Sequence, residues 1–189
     1  EEVFFQSGKL QLHGRLWIPT VVKLQPICVL VHPWSVLGGS AANTEPYAEN
    51  LAGMHGIRCL TFELRGVGQS EGASTYRGTM EVTDVISACY FIQQRYPNTD
   101  IVLVGSSAGA AIAGSALNKV SAAIAYVGIG YTFGWMSRLI FGHHYDNILT
   151  CLKPKLFILG TKDEFTSVSQ LQQRIASMRN VEMELIPNV

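Results

Sequence analysis

Charge is scarce in this sequence. Lys and Arg total 14, Asp and Glu total 14, and together they make only 15% of the residues, against a usual quarter. The net charge of +0 leaves no broad positive field to hold a phosphate backbone or an anionic bilayer, so neither nucleic acid nor a polybasic membrane anchor is expected as a partner. Paired cysteines are missing too. Cys28, Cys59, Cys89 and Cys151 form no C-x-x-C, and the first three sit in apolar runs. Buried free thiols in a reducing compartment, the cytoplasm, are therefore expected rather than a disulfide framework or a zinc site. The chain starts Glu1-Glu2 and shows no basic segment followed by an apolar one, so no leader is visible, although a leader already removed would leave no trace. Two charge-free stretches, 101–118 and 120–137, approach the length of a membrane span. Glycines interrupt both and no basic cluster flanks either, so each reads as a buried strand, a turn and a packed helix, with no integral membrane segment. There is no repeat, low-complexity tract, metal-ligand cluster, nucleotide fingerprint or cofactor lysine, and no cofactor is expected. Nothing in the pattern reports the oligomeric state.

What is present is apolar. Hydrophobic residues are 48% of 189, too many for a disordered chain. A folded chain of this size exposes about 8,900 Å² of the roughly 30,000 Å² it has when unfolded. That is enough for one core, and a single domain over 1–189 is expected. Residues 3–6 and 10–18 predict two strands around Ser7-Gly8-Lys9, an antiparallel edge hairpin. Beyond them, apolar strands at 27–31, 57–62, 101–104, 122–127, 156–159 and 181–186 alternate with helical segments. Tyr47, Leu51 and Met54 repeat at helical spacing between a Thr44 N-cap and Gly56. Val82, Val85, Ile86, Cys89 and Ile92 mark one face of a second helix that Pro97 ends. Residues 107–117 and 168–178 predict two more, while 131–152 reads as less regular. Such an alternation implies an α/β fold: a mostly parallel sheet with helices on both faces. Functional groups in such sheets gather at the carboxyl ends of the strands.

At one of those ends stands Gly105-Ser106-Ser107-Ala108-Gly109. This G-x-S-x-G follows an apolar strand and precedes an Ala-rich helix, the strand–turn–helix context that exposes a nucleophile. Ser107 is the expected nucleophile, at a helix N-terminus that favours a developing oxyanion. Gly105 and Gly109 keep side chains out of the tight turn. A Gly/Ser-rich turn without chemistry is the plainer alternative. A second oxyanion donor is expected from the loop after the first parallel strand, His32-Pro33-Trp34 with Gly38-Gly39. Pro33 has no N–H, so the backbone N–H groups of Trp34 and Ala108 are the candidates. His32 is expected to fix that loop rather than act as a base. The loop Arg65-Gly66-Val67-Gly68-Gln69-Ser70, rich in glycine, lacks the lysine and helix start of a phosphate cradle.

These motifs, together with Gly160-Thr161-Lys162-Asp163, resemble the α/β-hydrolase superfamily over residues 27–189, in particular its small lidless serine hydrolases of the dienelactone-hydrolase and prolyl-oligopeptidase type. The resemblance implies the α/β-hydrolase fold and a Ser–Asp–His triad, with Asp163 as the acid. Asp163 also follows a strand, where a carboxylate can orient an imidazole. A loop Asp capping the next helix is its other reading. Glu164 and Asp146 are rivals for the role. The family places its histidine after the last strand, yet no histidine follows Asp163. His13 and His55 read as structural or surface residues, and a base from His143 or His144 would be unusual. The expectation is a chain cut short at its C-terminus, with the histidine beyond residue 189 and almost no turnover by the 189 residues alone.

The segment 131–152 is dense in apolar residues. Trp135, Phe141 and His143 are candidates to line an acyl or aromatic pocket over Ser107, in a short cap-like segment. A core helix covering the sheet is an equal alternative. The expected function is a carboxylic-ester hydrolase acting through an acyl-enzyme on a small ester or thioester. A non-catalytic binding protein of the same fold and an acyltransferase are the alternatives.

Overall fold

The computed structural model describes the backbone of residues 1–189 and every side chain except those of residues 135–137. In β1 (Glu2–Ser7) strict alternation turns Val3, Phe5 and Ser7 inward and Glu2, Phe4 and Gln6 outward, as a half-buried edge strand requires. It pairs antiparallel with β2 (Leu10–Trp17), which pairs antiparallel with β4 (Ile57–Phe62). The remaining strands run parallel: β3 (Leu24–Val31), β5 (Ile101–Ser106), β6 (Ala123–Ile129), β7 (Lys155–Gly160) and β8 (Val181–Ile186). The eight-stranded sheet has the order β1-β2-β4-β3-β5-β6-β7-β8. This is the expected mixed sheet with its hairpin at one edge.

The continuous apolar run of β3 serves two cores. Ile27, Val29 and Val31 face one side with α2 (Glu81–Arg95), α3 (Ala108–Ala116), α4 (Trp135–Leu149) and α5 (Val168–Ile175). Cys28 and Leu30 face the other side with Ala48 of α1 (Glu45–Gly53). Burying such aliphatic side chains stabilises by about 1.5–3 kcal/mol each, which is why a strand between two helical layers has no polar face. The folded chain exposes 9251 Å², close to the value expected for its mass. All four cysteines are free and buried.

Two expectations need correction, the Thr44 cap and the irregular reading of 131–152. On α1 the core side is Ala48 and Ala52, while Tyr47 (43% exposed) and Met54 (66%) point outward; alanines let the helix lie close on β4, and bulky residues would hold it off. Thr44 precedes this helix without capping it, because its hydroxyl donates to the Ala41 carbonyl (3.0 Å). The segment 131–152 is not irregular: fifteen of its residues form α4, packed on α3. Its apolar residues are spread around the helix rather than gathered in one stripe, because it touches α3 on one side and the site described next on another; periodicity therefore conceals it. Arg65, in the glycine-rich loop after β4, is held by Asp84 of α2 through Nε (2.9 Å) and Nη2 (2.6 Å), so its guanidinium is already paired.

Candidate active site

The turn between β5 and α3 is fixed by lack of space. A Cβ on Gly105 would lie 2.4 Å from the Ala110 Cα, and one on Gly109 would lie 2.1 Å from the His32 carbonyl oxygen. Only glycine lets α3 start directly against the end of β3. Between them Ser107 adopts φ 55°, ψ −125°, a conformation that costs a non-glycine residue on the order of 1–3 kcal/mol and persists only where the surroundings enforce it. They do so through the Ser107 N–H, which donates to the Ile129 carbonyl of β6 (2.8 Å), and the Ser107 carbonyl, which accepts from the Ala110 N–H (3.0 Å). The Ser107 hydroxyl caps nothing in α3.

The loop after β3 is built by His32. The imidazole is fully buried; its Nδ1 bonds the Pro33 carbonyl (2.7 Å) and its Nε2 accepts from the Leu64 N–H (3.1 Å). Burial pulls its pKa down to about 4, against the raising effect of the Pro33 bond, so the ring is neutral and ties β3 to β4. Trp34 follows, its ring edge-on to Tyr76 and to Phe141, with centroids 5.2 Å apart in each pair.

Ser107, Ala108 and Trp34 line one cavity of about 560 Å³. Its other walls come from Leu37, from Tyr76 and Arg77 before α2, from Thr132, from Leu139, Ile140 and Phe141 of α4, and from Phe165 after β7. Phe141 is one of these wall residues. His143 is not: it lies two residues, about 200°, further round the helix, exposed, with Nε2 3.3 Å from the Thr79 hydroxyl. Trp135 falls outside the described side chains.

Asp163 sits in the loop after β7. One carboxylate oxygen accepts the N–H groups of Phe165 (2.8 Å) and Thr166 (2.7 Å). The other faces Gly130 at the end of β6, 3.6 Å from where a Cβ would stand. The loop also carries the end of the chain: the Lys162 N–H donates to the Val189 carbonyl (2.8 Å), and the Asn188 N–H to the Thr161 hydroxyl (3.0 Å). Glu164 is exposed, and Asp146 is an exposed residue of α4.

The model of the family described as serine aminopeptidase, S33, matches residues 25–183, a span that holds the elbow, the loop after β3 and Asp163. The chain belongs to this α/β-hydrolase family. Among solved structures, the hydrolase is similar to an α/β serine hydrolase homologue from Coxiella burnetii (21% identity, TM-score 0.87, covering 100% of this chain and 88% of that one). It is similar also to a lidless α/β serine hydrolase from Xanthomonas campestris (21%, 0.82, 100% and 84%), and to Est1E from Butyrivibrio proteoclasticus, solved with ferulic acid bound (16%, 0.81, 98% and 89%). No curated protein matches the sequence.

Among the described residues of the hydrolase, no histidine lines the Ser107 cavity. His13 pairs with Glu2 on the outer hairpin, His55 is exposed, and His32 lies behind the loop it builds. His144 is buried in α4, with Nδ1 2.7 Å from the Ser115 hydroxyl and Nε2 2.8 Å from the Arg77 carbonyl. Burial lowers its pKa to about 4, so it links α3, α4 and the Arg77 loop as a neutral ring. Residues 37, 76, 77 and 165 escaped sequence reasoning. They lie on separate connections, and only the general rule that sites gather at strand ends points to them. Among the described residues no helix is long and apolar enough to cross a membrane.

Proposed function

We propose that the chain is the core of a serine esterase. Ser107 Oγ attacks an ester or thioester carbonyl, and the Trp34 and Ala108 N–H groups hold the resulting oxyanion. The C–O or C–S bond then breaks, leaving the acyl group on Ser107 and releasing the alcohol or thiol, which takes the serine proton from the base. Water repeats the sequence and frees the acid and Ser107. The base in this reading is a histidine oriented by Asp163. Asp163 suits that role because only one of its carboxylate oxygens is taken up by the Phe165 and Thr166 N–H groups. The observation that carries the reading is the positive φ of Ser107, enforced at the floor of an apolar cavity. The ferulic acid bound to Est1E is consistent with an aromatic acyl group here. The buried free thiols favour a reducing compartment such as the cytoplasm.

The test is a fluorophosphonate probe on the encoded full-length protein. Labelling of the parent and its loss in Ser107→Ala are expected; equal labelling of both would sink the proposal. One observation favours a second reading, binding without chemistry: no described histidine faces Ser107. That reading predicts no labelling, together with retained binding of small apolar acids.

A further inference from the structure

Arg77 supplies the only charge among the described residues of the cavity wall, and residues 135–137, Trp, Met and Ser, bring none. No carboxylate of a described residue lies within ion-pair distance of its guanidinium, since every such pair among the described residues involves others. Its side chain is exposed, and the backbone that carries it is firmly held. The Arg77 carbonyl is bonded by His144 Nε2 (2.8 Å), His144 Nδ1 meets the Ser115 hydroxyl (2.7 Å), and Asn147 donates to that same hydroxyl (3.2 Å). Just before it, the backbone N–H and hydroxyl of Thr75 both bond the Glu81 carboxylate. The loop that presents Arg77 is thus anchored to α2, α3 and α4.

We propose that Arg77 makes this cavity selective for acyl groups that carry a carboxylate and unreceptive to those that carry an ammonium. The inference rests on the Ser107 hydrolase reading and names its substrate class: esters whose acyl part is an apolar body ending in an anion. A guanidinium meets a carboxylate through two parallel hydrogen bonds, and because Arg77 is exposed at the cavity wall the attraction is that of a pair near the surface, weakened by salt. A like charge finds no partner there and is repelled. A peptide with a free amino terminus, the substrate that the family's description suggests, brings that like charge.

The test compares matched aryl esters on the full-length protein: the half ester of suberic acid and the ester of omega-aminooctanoic acid. The anionic ester is expected to exceed the cationic one in kcat/KM by about tenfold or more, the effect of roughly one well-placed charge pair near a surface. That ratio falls to near unity in Arg77→Met, inverts in Arg77→Glu and survives in Arg77→Lys. A parent ratio near unity, or one that Arg77→Met leaves unmoved, overturns the inference while the esterase reading stands. If no ester is cleaved, the esterase reading fails instead. Calorimetric binding of the corresponding primary amides, suberamate against omega-aminooctanamide, then decides the role of Arg77 by the same ratio and the same variants.

Discussion

The two sides of the Ser107 cavity are held by different means. At the elbow, Gly105 and Gly109 bring backbone against backbone with no room for one more carbon. On the opposite side, α4 is held by side chains: Phe141 edge-on to Trp34, His144 bonded to Ser115, and the Tyr145 hydroxyl donating to the Thr132 carbonyl. A backbone-built turn admits one solution and forces the position of Ser107. A wall built from side chains can be repacked, so it can change what the cavity accepts without moving Ser107. The elbow is the rigid side of the cavity, and α4 is the side that substitution can reshape.

Gly109→Ala attacks the elbow most directly. Its Cβ would meet the His32 carbonyl oxygen at 2.1 Å, so a loss of about 4 kcal/mol or more is expected, read as a large fall in the urea midpoint together with lost fluorophosphonate labelling. Phe141→Ala attacks the other side. Removing a ring that is only 3% exposed is expected to cost about 3 kcal/mol, yet the folded protein should still label, at a rate that now varies with the size of the alkyl group on the probe. If the Phe141 variant lost labelling at temperatures where it is fully folded, the contrast between the two sides would be wrong.

Acid tests the side-chain clamps. His32 and His144 are both lowered to about 4 by burial, against about 6.5 in the unfolded chain. The unfolded state therefore binds more protons between these values. The stabilisation is complete above pH 6.5 and is lost as pH falls toward 4, by up to roughly 3 kcal/mol for each histidine. Urea titrations across this range should show the decline, and His144→Gln should make it shallower; an unchanged slope would mean that His144 is not held neutral. The smallest expected effect is Ser107→Gly, which removes the positive-φ strain and should stabilise the fold by about 1 kcal/mol while abolishing labelling. A destabilised glycine variant would show that the elbow stores no strain.

Much of the sheet was readable from sequence because two-sided strands have a local signature: 27–31 and 101–104 are apolar without interruption, and β8 matched its expected bounds at Val181–Ile186. The turn at Ser107 was readable for the same reason, since its two glycines stand only four positions apart in the chain. Helix faces were read less well. The spacing of Tyr47, Leu51 and Met54 marks a helix but not its buried side, which Ala48 and Ala52 supply, because the depth of packing depends on how near the sheet lies, and no window of sequence contains that distance. The cavity was read in part. Phe141 lines it and His143 turns away, a choice made by the rotation of α4 against α3.

Short-range pattern thus settles the alternation of strands and helices, the two-sided core and the place of Ser107, because each depends on residues within a few positions of one another. Tertiary packing alone decides that Arg77, Phe141 and Phe165 share one cavity with Ser107, that His144 serves as a clamp, and that Asn188 and Val189 lie along the Asp163 loop. These groups are far apart in the chain and meet only where connections from separate strands converge. The energy that holds them there comes from the whole core rather than from any motif.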